Sequence, residues 1–247
     1  MQNRFTIIIL FLTIPMCTVL LTNAQKRKGW KIKWAEEFNY TGLPDAKKWG
    51  YEVGYIRNSE QQYYTHAEKE NIWVTNSALT ITGRKEKYTN QFYKKGSTDW
   101  RYKDSIAEYT SASIHTLAKF VPILIGRKPG RLEIKAKIPE GRGMWPALWM
   151  LGVKKHKAGL PAYSEIDIME FIGKEPAAIY ATVHYEDADK NLHSSGNKIT
   201  DSTLSAKFHV YAIEWDKQKI DFYFDNIKYH SFIIDTAGAG KNNPFRK

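Results

Sequence analysis

The chain has 247 residues, with 37 Lys and Arg against 26 Asp and Glu, a formal net charge of +11, and 14% aromatic residues that include 8 Trp and 15 Tyr. A single cysteine, Cys17, excludes a disulfide framework and a thiolate metal centre. The positive balance suits an anionic partner, but the basic residues are scattered, which argues against nucleic acid. Their one cluster, Lys26, Arg27, Lys28, Lys31 and Lys33, reads as a solvated tail; the remainder reads as solubility or attraction to an anionic cell surface or a sulfated polysaccharide.

Residues 1–24 carry one charge, Arg4, then an apolar run from Phe5 to Leu21 and the small-residue end Thr22-Asn23-Ala24. This is the pattern of a secretory signal cut after Ala24. A single membrane anchor competes with that reading, because the run sits near the lower length limit for spanning; Pro15 and the Asn-Ala exit favour cleavage. The mature chain, residues 25–247, is then expected to be secreted, periplasmic or held at the cell surface, with no stable membrane insertion, and to be a monomer. It suits one domain.

Ile72 to Thr82 is expected to form a hairpin bending at Thr75-Asn76-Ser77. Lys85 to Tyr109 is polar and aromatic by turns and reads as a long surface loop beside a cleft. The segment Phe120-Val121-Pro122-Ile123-Leu124-Ile125 is apolar, but its proline argues against a central strand. Leu132, Ile134, Ala136 and Ile138 alternate with Arg131, Glu133, Lys135 and Lys137, the period of a half-buried strand. Phe208 to Trp215 is apolar on both faces, as inside a sandwich. Turns at Asp216 to Gln218 and at Asp225-Asn226 then imply three antiparallel neighbours ending at Tyr229 to Ile234. No stretch combines helical periodicity with caps, so helix should be minor.

The stretch Ser164 to Gly173 places three carboxylates, Glu165, Asp167 and Glu170, in an otherwise apolar, β-prone segment. In a regular strand Glu165 and Asp167 share a face and Glu170 points to the other. A β-bulge near Ile168 and Met169 would bring all three to one side, and bulges recur beside active sites because they re-aim side chains. Glu165 and Glu170 would then stand roughly 13 Å apart along the backbone at ~3.3 Å per residue. Side chains leaning inward close that gap to about 5 to 6 Å, the separation of retaining rather than inverting glycosidases. Asp167 between them should perturb both and help one carboxyl keep its proton near neutral pH. The competing reading is a strand with a solvated acidic face.

Glu165-Ile166-Asp167-Ile168-Met169-Glu170, preceded by Gly143-Met144-Trp145-Pro146-Ala147-Leu148-Trp149-Met150-Leu151-Gly152, resembles glycoside hydrolase family 16, and within it the endo-β-1,3-glucanases called laminarinases. The likeness continues through Asn58-Ser59-Glu60-Gln61-Gln62-Tyr63-Tyr64, Tyr109-Thr110-Ser111-Ala112, Gly130 to Pro139, and Tyr211-Ala212-Ile213-Glu214-Trp215, nearly the whole chain after the leader. It implies an all-β jelly-roll sandwich of two antiparallel sheets with a concave substrate cleft. It also implies Glu165 as nucleophile, Glu170 as acid/base and Asp167 as helper acid. Asn58, Glu60, Trp145, Trp149 and His184 are the sugar-binding candidates. Two residues between Asp167 and Glu170 are similar to the laminarinase spacing; agarases and carrageenases share it, whereas licheninases and xyloglucan-active relatives usually have one.

The chain departs from the family pattern at Leu160-Pro161-Ala162-Tyr163-Ser164, where laminarinases have a tryptophan before the proline and a glycine directly before the nucleophile; a stacking platform worth about 0.5–1.5 kcal/mol is lost. It also stops at Asn243-Pro244-Phe245-Arg246-Lys247, where the family continues into a further strand, so the catalytic domain is expected to be shortened at its C-terminus. The mechanism requires no cofactor; the resemblance allows a structural calcium, for which no ligands are assigned. The expected activity is endo-acting, retaining hydrolysis of a polysaccharide, foremost β-1,3-glucan such as laminarin. Alternatives are a catalytically impaired carbohydrate-binding sandwich, and a hydrolase or transglycosylase acting on lichenan, agarose or carrageenan.

Overall fold

The computed structural model describes residues 29–120, 128–152, 163–187 and 189–246. The expected leader, the apolar segment after Phe120 and the Leu160-Pro161-Ala162 departure lie outside them. Fifteen strands follow in chain order: β1 Gly50–Glu52, β2 Gln62–Tyr64, β3 Ile72–Thr75, β4 Ala78–Ile81, β5 Arg84–Thr89, β6 Ile106–Ser111, β7 Ser113–His115, β8 Gly130–Ala136, β9 Ala147–Leu151, β10 Ser164–Phe171, β11 Ala178–Glu186, β12 Leu192–Thr200, β13 His209–Trp215, β14 Lys219–Phe224 and β15 Ile227–Ile233. Among the described residues there is no α-helix, only 3-10 turns at Ile234–Ala237, Gly240–Asn242 and Pro244–Arg246.

Two four-stranded antiparallel sheets dominate, ordered β12-β11-β10-β9 and β15-β14-β13-β8. They stack with β10 against β13 and β12 against β15. Alternation explains the stacking. Along β11, Ile179, Ala181, Val183 and Tyr185 are buried while Tyr180, Thr182 and His184 between them are half-buried and face away. The inward set meets Ile166, Ile168 and Phe171 of β10 and, from the opposing sheet, Tyr211, Ile213, Ile220 and Phe222, all in one core. Each such side chain contributes roughly 1.5–3 kcal/mol of burial. Phe245, after the last strand, packs against Phe232 and Tyr185 with ring centroids 5.5 and 6.2 Å away.

The turns read from the sequence are present. Asn76 and Ser77 join β3 to β4 with φ of 51° and 55°, and Asp225 and Asn226 join β14 to β15 with φ of 45° and 71°. Such two-residue, positive-φ turns match the twist of the strands they connect. Phe208 falls outside β13 and is 51% exposed.

One expectation is corrected. Lys85 to Tyr109 is not loop throughout: its ends are β5 and β6, which pair with each other, and β6 pairs in parallel with β2. β5 is the edge of that sheet, and its Arg84, Lys85, Glu86 and Lys87 are the kind of charges that keep an edge from pairing further. Only 90–105 is loop. The buried Asn90 gathers it, its side-chain amide donating to the carbonyls of Arg101 at 3.0 Å and Asp104 at 2.9 Å.

Candidate active site

β10 carries the three acids, and its register shows how they share a face. Asp167 stands opposite Thr182 of β11 and Trp149 of β9; Glu170 stands opposite Tyr180 and Ala147. On β11 only Ala181 separates Thr182 from Tyr180, so Ile168 and Met169 occupy the space of one residue. That is the bulge expected from parity, and it sends both side chains into the core, each 1% exposed. Glu165, Asp167 and Glu170 therefore face away from the core together.

Each acid is held differently. The Tyr163 hydroxyl donates to Glu165 Oε2 at 2.5 Å. Burial, and next the hydrogen bond and charge of Glu165, raise the Tyr163 phenol far above its ordinary range, so it remains a donor. The Trp145 indole N–H donates to Glu170 Oε1 at 3.1 Å. Trp145 itself is clamped from both sides, since Phe171 N–H bonds to the Pro146 carbonyl and Gly173 N–H to the Met144 carbonyl. Gly173 makes that clamp fit: a Cβ there would lie 1.8 Å from the Gly141 carbonyl oxygen. The indole is 58% exposed, leaving its ring open to a ligand.

Asp167 is 2% exposed, and its carboxyl is pushed up to about 8 by burial first, then by the charges of Glu170 and Glu165 and a hydrogen bond with Glu165. At neutral pH Asp167 therefore keeps its proton and acts as a donor. His184, opposite Glu165 on β11, brings Nε2 to 3.3 Å from Asp167 Oδ2.

The remaining sequence candidates join the acids indirectly. Trp149 shares a row with Asp167, but the Arg57 guanidinium lies 5.0 Å over its ring, so one face is covered. Arg57 also lies 5.8 Å from the Tyr64 ring and is held by both carboxylate oxygens of Glu52, which accepts from Ser113 Oγ at 2.6 Å. Asn58 and Ser59, with φ of 55° and 51°, turn the chain after Arg57. Glu60 accepts from the Tyr64 hydroxyl at 3.1 Å. Asn58 and Glu60 thus sit on a loop tied to the acids through Arg57 and Trp149. Sequence reasoning missed Arg57 and the role of Tyr163. Tyr163 was findable, since it lies two residues from Glu165 and so on the same face of an extended chain.

The acid face continues across β11 and β12 as a groove of about 380 Å³ lined by Tyr180, Thr182, Ser194, Gly196, Asn197 and Lys198. Gly196 lies opposite Thr182, and a Cβ there would stand 2.6 Å from the Ala181 carbonyl oxygen. Its absence lets β12 approach β11 closely at this point. Among the described residues, Glu165, Asp167 and His184 are the three side chains whose ligand atoms lie close enough together to meet on one ion. An imidazole in a set of three fits calcium poorly, because that ion takes six to eight oxygens. Calcium therefore has no assigned ligands.

A two-sheet sandwich whose open face carries three carboxylates and aromatic rings is the architecture of a glycoside hydrolase. The chain belongs to glycosyl hydrolases family 16, whose model matches residues 59–246. It is 36% identical to a beta-glucanase of Rhodothermus marinus over 239 residues, 93% of this chain and 76% of that protein. The solved laminarinase from Rhodothermus marinus superposes with a TM-score of 0.71 at 35% identity, covering 88% of this chain and 82% of that one. A second solved structure reaches 0.78 at 36% identity, covering 89% and 77%, and is described with endo-acting O-glycanases that prominent members of the human gut microbiota express to initiate mucin breakdown. These likenesses agree with the jelly-roll sandwich expected from the sequence.

Proposed function

We propose that the chain is an endo-acting, retaining β-glucan hydrolase, foremost on β-1,3-glucan, with Glu165 as nucleophile and Glu170 as acid/base. The observation that carries this reading is the bulge at Ile168 and Met169, which turns Glu165, Asp167 and Glu170 to one side. In the first step the Glu165 carboxylate attacks the anomeric carbon while Glu170 gives its proton to the leaving glycosidic oxygen. A covalent glycosyl-enzyme results. In the second step Glu170, now ionised, takes a proton from water; the water oxygen attacks the anomeric carbon and Glu165 departs as a carboxylate. Tyr163 and protonated Asp167 both donate to Glu165, so both stabilise the charge that returns to it. The Trp145 N–H orients Glu170 through both proton transfers.

The Trp145 ring and the groove over Tyr180 and Thr182 are the sugar-stacking surfaces in this reading, with Trp149, His184, Asn58 and Glu60 as further contacts. Residues 1–24 act as a secretory leader, on the strength of their apolar run and Ala24 exit. Among the described residues no helix is long and apolar enough to cross a membrane.

The structural likeness to the O-glycanase, with a higher TM-score than the laminarinase, favours a second substrate for the same chemistry: mucin O-glycans. A panel of laminarin, lichenan, agarose, carrageenan and mucin O-glycans separates the two. Laminarin should give the highest kcat/KM, with the β configuration retained in the first product seen by proton NMR. Preference for mucin O-glycans would install the second reading, and release from no panel member would remove both.

Tyr163→Phe tests how Glu165 is held. A hydrogen bond to a charged group is worth ~1.5–3 kcal/mol, so kcat/KM should fall about 10- to 100-fold with an unchanged far-UV circular dichroism spectrum. An undiminished rate would show that the Tyr163 hydroxyl plays no part.

A further inference from the structure

Arg57 stands on the acid face with much of its hydrogen-bonding capacity unused. A guanidinium carries five N–H donors in a fixed plane and accepts nothing. Glu52 takes both of its bonds from a single nitrogen, Nη2 donating to Oε1 and to Oε2. The N–H groups on Nη1 and Nε have no hydrogen-bond partner among the described residues, and they are not sealed from solvent, since the side chain is 23% exposed. Its surroundings fix its place. Ser113 Oγ holds Glu52 at 2.6 Å, and the guanidinium lies 5.0 Å over the ring of Trp149, which stands opposite Asp167 in the register of β9 with β10 and so shares its face. The unused donors therefore lie at the edge of the cleft, one strand away from the acids.

Charge decides what those donors suit. Glu52 neutralises the guanidinium, and Glu60, on the same loop, adds a second carboxylate whose charge reaches it. An incoming sulfate or carboxylate would meet two acids beside one base, whereas a hydroxyl oxygen accepts an N–H without bringing charge. We propose that Arg57 is a substrate-binding and specificity residue, donating from Nη1 and Nε to the hydroxyl oxygens of an uncharged sugar that lies beside Trp149, next to the sugar attacked by Glu165. This role rests on the β-glucan reading above, and it gives a chain of net charge +11 a reason to prefer a neutral polysaccharide over a sulfated one.

Binding is measured without turnover, by calorimetry of the full chain carrying Glu165→Gln with laminarihexaose. Adding Arg57→Met, which keeps the length of the side chain and removes every N–H, should weaken binding at least about fivefold, the worth of one ordinary hydrogen bond. Arg57→Lys keeps a cation facing Glu52 and lying over Trp149 but not the planar fork, so it should bind as weakly as Arg57→Met while melting like the parent. Parental affinity in Arg57→Lys would show that the cation over the ring matters and the N–H donors do not, and would overturn the role. Arg84→Met breaks another Arg–Glu pair, 3.2 Å from Glu86 at the edge strand β5, and should leave the affinity unchanged. Sulfated laminarihexaose should bind more weakly than the neutral sugar; tighter binding would overturn the preference. In the hydrolysis assay Arg57→Met alone should raise KM for laminarin and leave kcat nearly unchanged, whereas a lower kcat at constant KM would make Arg57 a support of the acids instead. Equal affinity in Arg57→Met, or no binding of laminarihexaose at all, would overturn the proposal. Arg57-dependent binding by a chain that hydrolyses no panel member would leave this role standing and remove only the hydrolase reading.

Discussion

Glu165→Ala is expected to lose hydrolysis by ~10⁴-fold or more, as removal of a nucleophile does in other covalent mechanisms, and to regain turnover with azide as an α-glycosyl azide. Glu170→Ala is expected to yield the β-glycosyl azide instead. The two products follow from the division of roles. Without Glu165 the small anion enters the vacated space and displaces the aglycone directly, with one inversion. Without Glu170 the glycosyl-enzyme still forms on an activated substrate, and azide attacks it from the side that water would use, giving a second inversion. An activated aryl glycoside and NMR assignment of the anomeric configuration suffice. The same azide anomer from both variants would end the assignment of separate roles.

Asp167→Asn should make the protein more stable, with a gain that depends on pH. In the folded chain Asp167 keeps its proton to about pH 8, from an ordinary value of 3.8. Between those limits the folded state binds a proton that the unfolded state has released, so stability falls as pH rises from about 4 to about 8 and stays low above that. Asparagine has no proton to lose and removes the dependence. The variant should match the parent near pH 4 and exceed it by on the order of 5 kcal/mol at pH 8, at ~1.36 kcal/mol per pKa unit. Urea denaturation at pH 4, 6 and 8 checks this. A difference that does not change with pH would show that Asp167 does not keep its proton in the folded chain over this range. The same change should slow turnover, because the site keeps an acid where an amide would fold better.

The legible parts of the molecule were those governed by short-range rules. Two-residue turns at Asn76-Ser77 and Asp225-Asn226 announce themselves, because few side chains accept positive φ. The bulge was legible for a related reason: a strand alternates strictly, so three acids at odd and even spacing can converge only through an extra residue. What sequence concealed was set by distance and depth. Arg57 reaches Trp149 across 92 positions of chain, a contact no local pattern encodes. The proton on Asp167 depends on burial, which is a property of the assembled sheet. β5 hid because Arg84 to Lys87 look like loop, although at a sheet edge charge is what protects a strand. The four-residue spacing of Trp145 and Trp149 suits one face of a helix or of a strand alike. In the structure β9 begins at Ala147, so Trp145 precedes it and reaches Glu170 from a clamped turn.

The two residues that share one position in β10 also decide which length changes the catalytic strand tolerates. Deleting either Ile168 or Met169 would leave Asp167 and the following glutamate two apart, and plain alternation alone would keep all three acids facing outward. An insertion between Glu165 and Asp167 has no such escape, because it reverses the orientation of one partner relative to the other. Drift in loop-like fashion is thus open to this strand at one point only, and there it reshapes the surface that contacts the sugar while sparing the reaction.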